Sequence, residues 1–184
     1  MSPAIRKLIG FSCAIFVVAV TYYLYVLNVH PPSPERETFL SEIGEGVGEI
    51  TLWMFIAIYV RTVAKIAFGK GPFSRRLLPD YTPPAAGSVV QTAIHYMDRT
   101  HVFLGIAATM ATLLHIGLLG LHAEILFFPV VLALVLWQSC FGFFISWKKT
   151  PKNLKRWSYY VHAQLITGIA IGILAYFGHL LLDD

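Results

Sequence analysis

The hydrophobic residues of this chain are gathered into long runs that polar residues interrupt only at intervals. A helix needs about 20 mostly apolar residues to cross the hydrocarbon core of a membrane. Four uncharged runs meet that length, at 8–29, 100–123, 125–147 and 157–182. The first run follows Arg6 and Lys7 as a secretory signal would, but it is longer than the apolar part of such a signal. We therefore predict four spanning helices, the first of them uncleaved.

A fifth, weaker run occupies residues 44–68. Its uncharged centre is only residues 50–60, with glutamates before it and Arg61 and Lys65 after it. Because long basic side chains can extend toward the headgroups, a span is still compatible with these charges. The alternative is a helix that lies on the membrane surface.

The composition agrees with a membrane protein. Of the 184 residues, 57% are hydrophobic and 13% are charged, whereas soluble domains average about 45–50% and 25%. So little charge is too little for a water-facing surface, and so many apolar residues exclude a disordered chain. The two cysteines lie far apart in apolar runs, and no C-x-x-C-H motif for covalent haem attachment occurs.

The placement of charge along the chain decides between four and five spans. With five spans, all of the 14 basic residues except Arg36 fall on the side that holds the N-terminus, and all acidic residues except Asp80 and Asp98 fall on the other. Cytoplasmic loops carry the excess of Lys and Arg. We therefore predict an all-α helical bundle with the N-terminus in the cytoplasm and the C-terminus outside. Its single integral membrane domain covers 1–184, with spans near 8–29, 45–67, 97–122, 125–147 and 157–182.

Two histidines share one face of the third predicted span. His101 and His115 are 14 positions apart, which returns within about 40° of the same helix face and rises about 21 Å. Ionisable residues inside a membrane are costly and usually have a partner or a function. Two histidines on one face at two depths suit two haem groups stacked across the membrane, although polar packing between helices is the alternative.

The fifth predicted span carries a second histidine pair, His162 and His179. The third and fifth spans run parallel, so His101 and His162 lie toward the cytoplasm while His115 and His179 lie toward the outside. Imidazole is a good ligand for haem iron, and facing pairs would hold two six-coordinate haems. The spacing of 17 positions puts His179 about 100° away from the face of His162 on a regular helix. His122 therefore stays open as the alternative second ligand of the outer site.

The pattern H-V-F-L-G-x9-H, with His101, Gly105 and His115, resembles the ferric reductase-like transmembrane domain. The resemblance covers the chain from about Gly44 to the C-terminus. It implies two haem b groups between the third and fifth spans, the inner iron held by His101 and His162 and the outer iron by His115 and His179. Family members have six spans rather than five, and the same histidine spacing also marks other di-haem cytochromes b, including quinol-oxidising subunits.

The remaining polar residues receive simpler interpretations. We expect His30 to be solvated at the outer boundary, and His95 to be an interfacial or propionate-neighbouring residue at the inner boundary. Arg99 and Arg156 flank the cytoplasmic ends of the two histidine-bearing spans, where they would neutralise inner-haem propionates or anchor the helices at the membrane surface.

These features predict a di-haem b cytochrome that carries electrons across the membrane, between a quinol or cytoplasmic donor and an outer redox partner. We expect an electron-transfer subunit of an oxidoreductase in a prokaryotic inner membrane, rather than a stand-alone enzyme. Its expected partners are membrane lipid, a redox protein or larger membrane complex, and possible quinone, with no nucleic acid. The alternative is a haem-free membrane anchor or scaffold subunit of a larger complex.

Overall fold

The protein is a bundle of α-helices. The computed structural model describes residues 3–29, 38–68 and 87–182. Every regular element within those ranges is an α-helix, and they are α1 (Pro3–Val29), α2 (Phe39–Phe68), α3 (Ser88–Leu119), α4 (Phe127–Ser146), α5 (Lys152–His162) and α6 (Leu165–Leu180). The predicted all-α architecture is confirmed.

The outer surfaces of these helices are apolar. Among the described residues, α1 to α4 are each long and apolar enough to cross a membrane. α5 and α6 together are also long and apolar enough, so the number of spans is five if this bent pair crosses as one. Large hydrophobic side chains such as Phe11, Val18 and Phe103 are more than half exposed on them. Soluble monomers rarely expose so much contiguous apolar surface, and lipid chains would cover it. The chain is therefore an integral membrane protein.

The weaker second run forms a complete helix that is longer than its apolar centre. α2 begins where Thr38 and Ser41 bond reciprocally: the Ser41 N–H donates to Thr38 Oγ1 at 3.1 Å, and the Thr38 N–H donates to Ser41 Oγ at 2.8 Å. Such a capping arrangement satisfies backbone donors that the first turn leaves unpaired. α2 packs along α3 more extensively than any other helix pair among the described residues.

The third helix differs from the predicted span at both ends. It begins at Ser88 rather than 97 and ends at Leu119 rather than 122. Gly120 has a φ of 93°, and its N–H bonds to the carbonyl of Ile116 at 2.8 Å. Only glycine adopts this conformation without strain, so it ends the helix and leaves His122 outside it.

The fifth predicted span is broken rather than continuous. α5 ends at His162 and α6 begins at Leu165, with a bend of 47° between them. Gln164 is extended, with φ −83° and ψ 114°. The break therefore lies before the glycines of this span, at residues whose types carry no signal for it.

A buried cluster fixes one end of the bundle. Ala19 and Val26 of α1 meet Phe177 of α6 and Phe127 at the start of α4. The backbone N–H of Leu126 donates a hydrogen bond of 3.0 Å to the hydroxyl of Tyr22. The ends of α1 and α6 thus lie beside the α3–α4 connection, as five alternating spans require.

Candidate haem-binding site

The inner histidine pair joins α3 to the end of α5. The rings of His101 and His162 have centroids 5.9 Å apart, with their planes at 66°. Both side chains are half-buried. The two residues that the sequence analysis assigned to the cytoplasmic depth therefore lie side by side.

The outer pair joins α3 to the end of α6. The ring centroids of His115 and His179 are 6.0 Å apart and their planes meet at 25°. His115 is half-buried and His179 is exposed. The structure thus brings together all four predicted ligands as two pairs, one near each end of α3.

The break between α5 and α6 explains how His179 reaches this position. On one regular helix it would point about 100° away from His162. The extended Gln164 interrupts the helical phase, so α6 starts with a new orientation. Tyr176, which a continuous helix would place on the face of His162, is instead 62% exposed.

Hydrogen bonds fix the tautomer of three of the four rings. Nδ1 of His115 lies 2.8 Å from the carbonyl oxygen of Gly44, that of His162 lies 2.9 Å from the Gln138 carbonyl, and that of His179 lies 2.8 Å from the Ala175 carbonyl. A carbonyl oxygen can only accept, so each Nδ1 carries the proton. Nε2 then keeps its lone pair, which is how metal-binding histidines are commonly held.

His101 is the exception. Its Nδ1 is buried and has no hydrogen-bond partner among the described residues. An unpaired buried polar group of this kind lowers the free energy of unfolding by about 1–3 kcal/mol. Of the four rings, this is the one whose Nδ1 no hydrogen bond from the described residues holds in place.

The spacing of both pairs is compatible with a metal ion that two imidazoles would hold between them. Metal–imidazole bonds of about 2.0–2.1 Å place two opposed nitrogens about 4 Å apart and their ring centroids roughly 6 Å apart. Among the residues that the structure describes, no three His, Cys, Asp or Glu side chains converge as a metal-binding group. A site with two protein donors suits haem, whose porphyrin supplies the other four ligands.

Glycines leave room beside the ligands. Gly105 lies one turn after His101, on nearly the same face, and Gly172 lies seven positions before His179. No atom lies within 4 Å of where a Cβ would stand at either glycine. At Gly105 this leaves open space one turn from His101, whereas Gly172 is exposed and lies two turns from His179.

Charged residues of α2 and α3 cluster one turn before His101. Arg61 lies 2.7 Å and Lys65 lies 2.9 Å from the carboxylate oxygens of Asp98. The side chain of Arg61 is only 20% exposed. From the sequence, these two cations are predicted only as basic residues at the edge of a weak span, and no pattern identifies Asp98 as their partner.

The arginines predicted to neutralise propionates are placed differently. Arg99 and Arg156 are both exposed. They lie on α3 and α5, the helices that also carry the inner histidines. Arg61 is the less exposed cation near the inner pair.

The other histidines lie apart from the two pairs. His95 is exposed on α3, and His30 falls outside the described residues. His122 lies in the α3–α4 connection with Nδ1 3.2 Å from Glu124 Oε1. Its ring packs near Phe128, whose ring also contacts His179. His179, not His122, is the ring seen beside His115.

Two glycines that contact the histidine rings, Gly48 and Gly142, are not among the residues predicted from the sequence. A signal for the first existed, since Gly44 and Gly48 form a G-x-x-x-G pattern, which is typical of closely packed membrane helices. The second is the one glycine of α4, and no spacing marks it.

No protein-family model, curated protein or solved structure matches this chain.

Proposed function

We propose that the protein is a membrane di-haem b cytochrome that carries electrons from one side of the membrane to the other. The observation that carries the proposal is the pairing of four histidines at two depths. His101 lies beside His162 and His115 lies beside His179, with centroid separations of 5.9 and 6.0 Å. Each pair would hold one haem b, consistent with the resemblance to ferric reductase-like transmembrane domains.

Each part of the protein has a separate task in this proposal. The histidines bind and orient the cofactor from two helices, and the carbonyls that accept from Nδ1 keep Nε2 available for the iron. Bound haem supplies one-electron chemistry, since its iron alternates between the ferric and ferrous states. Arg61 and Lys65 would attract the acidic edge of the inner group. The apolar helices exclude water from the path between the two sites.

The proposed role is that of a subunit. Electrons would come from a quinol or a cytoplasmic donor and would leave to a redox protein on the outer side, or within a larger oxidoreductase complex, in a prokaryotic inner membrane. The reverse direction uses the same residues.

The absorption spectrum of purified, dithionite-reduced protein tests the proposal. We expect b-type bands and about two haems per chain by pyridine haemochrome. His101→Ala and His115→Ala should each lower the content to about one. His95→Ala is the matched control, since it is an exposed histidine of the same helix, and it should retain both. Folded protein that contains no haem when haem is supplied during expression would contradict the proposal and favour the anchor or scaffold alternative.

A further inference from the structure

Two of the four histidine rings lie against a glycine of a neighbouring helix. A Cβ at Gly48 of α2 would stand 2.7 Å from Cε1 and Nδ1 of His115. A Cβ at Gly142 of α4 would stand 2.9 Å from Cε1 of His162. Real Cβ atoms essentially never come so close to another heavy atom, so either ring would have to move if its glycine gained a side chain.

Each of these two rings also donates a hydrogen bond to the helix that carries its glycine, at a carbonyl one turn before that glycine. His115 Nδ1 donates to the carbonyl of Gly44, four residues before Gly48, and His162 Nδ1 donates to the carbonyl of Gln138, four residues before Gly142. In an α-helix the carbonyl of one residue points toward the residue four positions later. A side chain at that later position stands beside the carbonyl, and glycine leaves its surface open to the ring.

The same arrangement, a histidine ring against a glycine and bonded to the carbonyl four residues before it, therefore occurs twice among the described residues. The two examples occur on different helices, at different depths, and each serves one member of a pair. The other member is held differently: His179 bonds within its own helix to Ala175, and the Nδ1 of His101 has no partner in the described part of the chain.

We propose that Gly48 and Gly142 are positioning residues, which let α2 and α4 each hold one haem-ligating imidazole by its Nδ1. This inference rests on the proposed function. Gly48 serves the outer site through His115, and Gly142 serves the inner site through His162. A hydrogen bond accepted from Nδ1–H fixes the ring and makes Nε2 a more basic ligand, which stabilises ferric over ferrous iron.

Alanine at each glycine should therefore affect one site and leave the other unchanged. In Gly48→Ala we expect the outer haem affinity to fall by about 10–100-fold, so that the content drops from about two haems per chain toward about one. Any outer haem that is retained should titrate at a higher midpoint potential, while the inner potential stays unchanged. In Gly142→Ala we expect the inner haem to lose affinity and to rise in midpoint potential, while the outer haem stays unchanged.

Gly46→Ala is the matched control for α2. Gly46 lies between the two glycines of the same helix, and no atom lies within 4 Å of its Cβ position. This variant should retain both haems and both potentials. If Gly48→Ala behaves like Gly46→Ala in both respects, the positioning role is wrong although the wild-type protein still contains two haems. A wild-type protein without haem would instead contradict the proposed function.

A thermal-unfolding cycle tests the contact without relying on haem. The three nearest atoms to a Cβ at Gly48 all belong to the His115 ring, so removal of the ring should remove the clash. Gly48→Ala should destabilise the wild type, or prevent its folding, but add little to His115→Ala. An equal loss of thermal stability in both backgrounds would show that Gly48 does not act through His115, and would overturn the inference.

Discussion

The break between α5 and α6 determines which position of α6 can carry the histidine ligand of the outer site. If residues 152–180 formed one regular helix, position 176 would share the face of His162, being 14 positions away, and position 179 would be about 100° from it. The structure has the helix interrupted at Gln164 and brings His179 to within 6.0 Å of His115 between ring centroids. Moving the outer ligand to position 176 should therefore fail.

The perturbation is the transplant His179→Ala with Tyr176→His. Three residues along an α-helix correspond to a rise of about 4.5 Å and a rotation of about 60° short of a full turn. Metal sites tolerate ligand distances only within about 0.2 Å, so a ring displaced by this much cannot replace the original. The ring of Tyr176 packs against that of Phe177, with centroids 5.5 Å apart.

The assay is haem content by pyridine haemochrome. The transplant and the single variant His179→Ala should both contain about one haem per chain, and Tyr176→His alone should contain about two. Restoration of the second haem in the transplant would refute the reasoning, because it would mean that residues 152–180 behave as a continuous helix in the membrane.

Three further predictions concern stability, measured by thermal unfolding in detergent. Asp98→Ala leaves Arg61 and Lys65 without their shared carboxylate. Because the Asp98 side chain is 35% exposed, the loss of unfolding free energy should lie between the values for surface and buried ion pairs, at about 2 kcal/mol. An unchanged unfolding midpoint would mean that the ion pairs contribute nothing to stability. Tyr22→Phe removes the acceptor of the Leu126 N–H and should cost about 1 kcal/mol, whereas a stabilised variant would contradict that bond. Gly168→Ala places a methyl group against the ring of Tyr59 of α2 and should lower the free energy of unfolding by about 1–3 kcal/mol. Its control is Gly172→Ala, which has no atom within 4 Å of the new methyl group and should be neutral or stabilising. Equal effects of the two variants would contradict the packing of Gly168 against Tyr59.

Much of the fold could be predicted because a membrane-spanning helix needs about 20 mostly apolar residues, and uncharged runs of that length can be found directly in the sequence. Uncharged runs such as 8–29 and 125–147 became α1 and α4, with ends shifted by a few residues. The depth pairing of the histidines followed because one antiparallel span separates the third span from the fifth, so these two run parallel. The distribution of basic residues indicated which of the two depths is cytoplasmic.

The break after His162 was beyond sequence reasoning for a physical reason. Neither Ala163 nor Gln164 disrupts a helix by its own conformational preferences. The helix stops where the ring of His162 bonds to the Gln138 carbonyl on α4 and where a new orientation lets α6 pack on α1 and α4. Contacts between elements that are distant in sequence therefore accompany the bend, and no local pattern records them.

The helix with the weakest hydropathy signal proves to contact both candidate sites. α2 has a mean hydropathy of 1.6 in its best window, against 2.0 for each of the other three single-helix spans. Arg61 and Lys65, which lower this value, pair with Asp98 one turn before His101, and Gly44 and Gly48 of the same helix contact His115. A helix surrounded by lipid alone has no use for glycines or charges, since it gains from apolar side chains at every position. A span that must approach polar rings and carboxylates gives up apolar side chains there, so its weaker signal is a consequence of its position against the histidine-bearing helix.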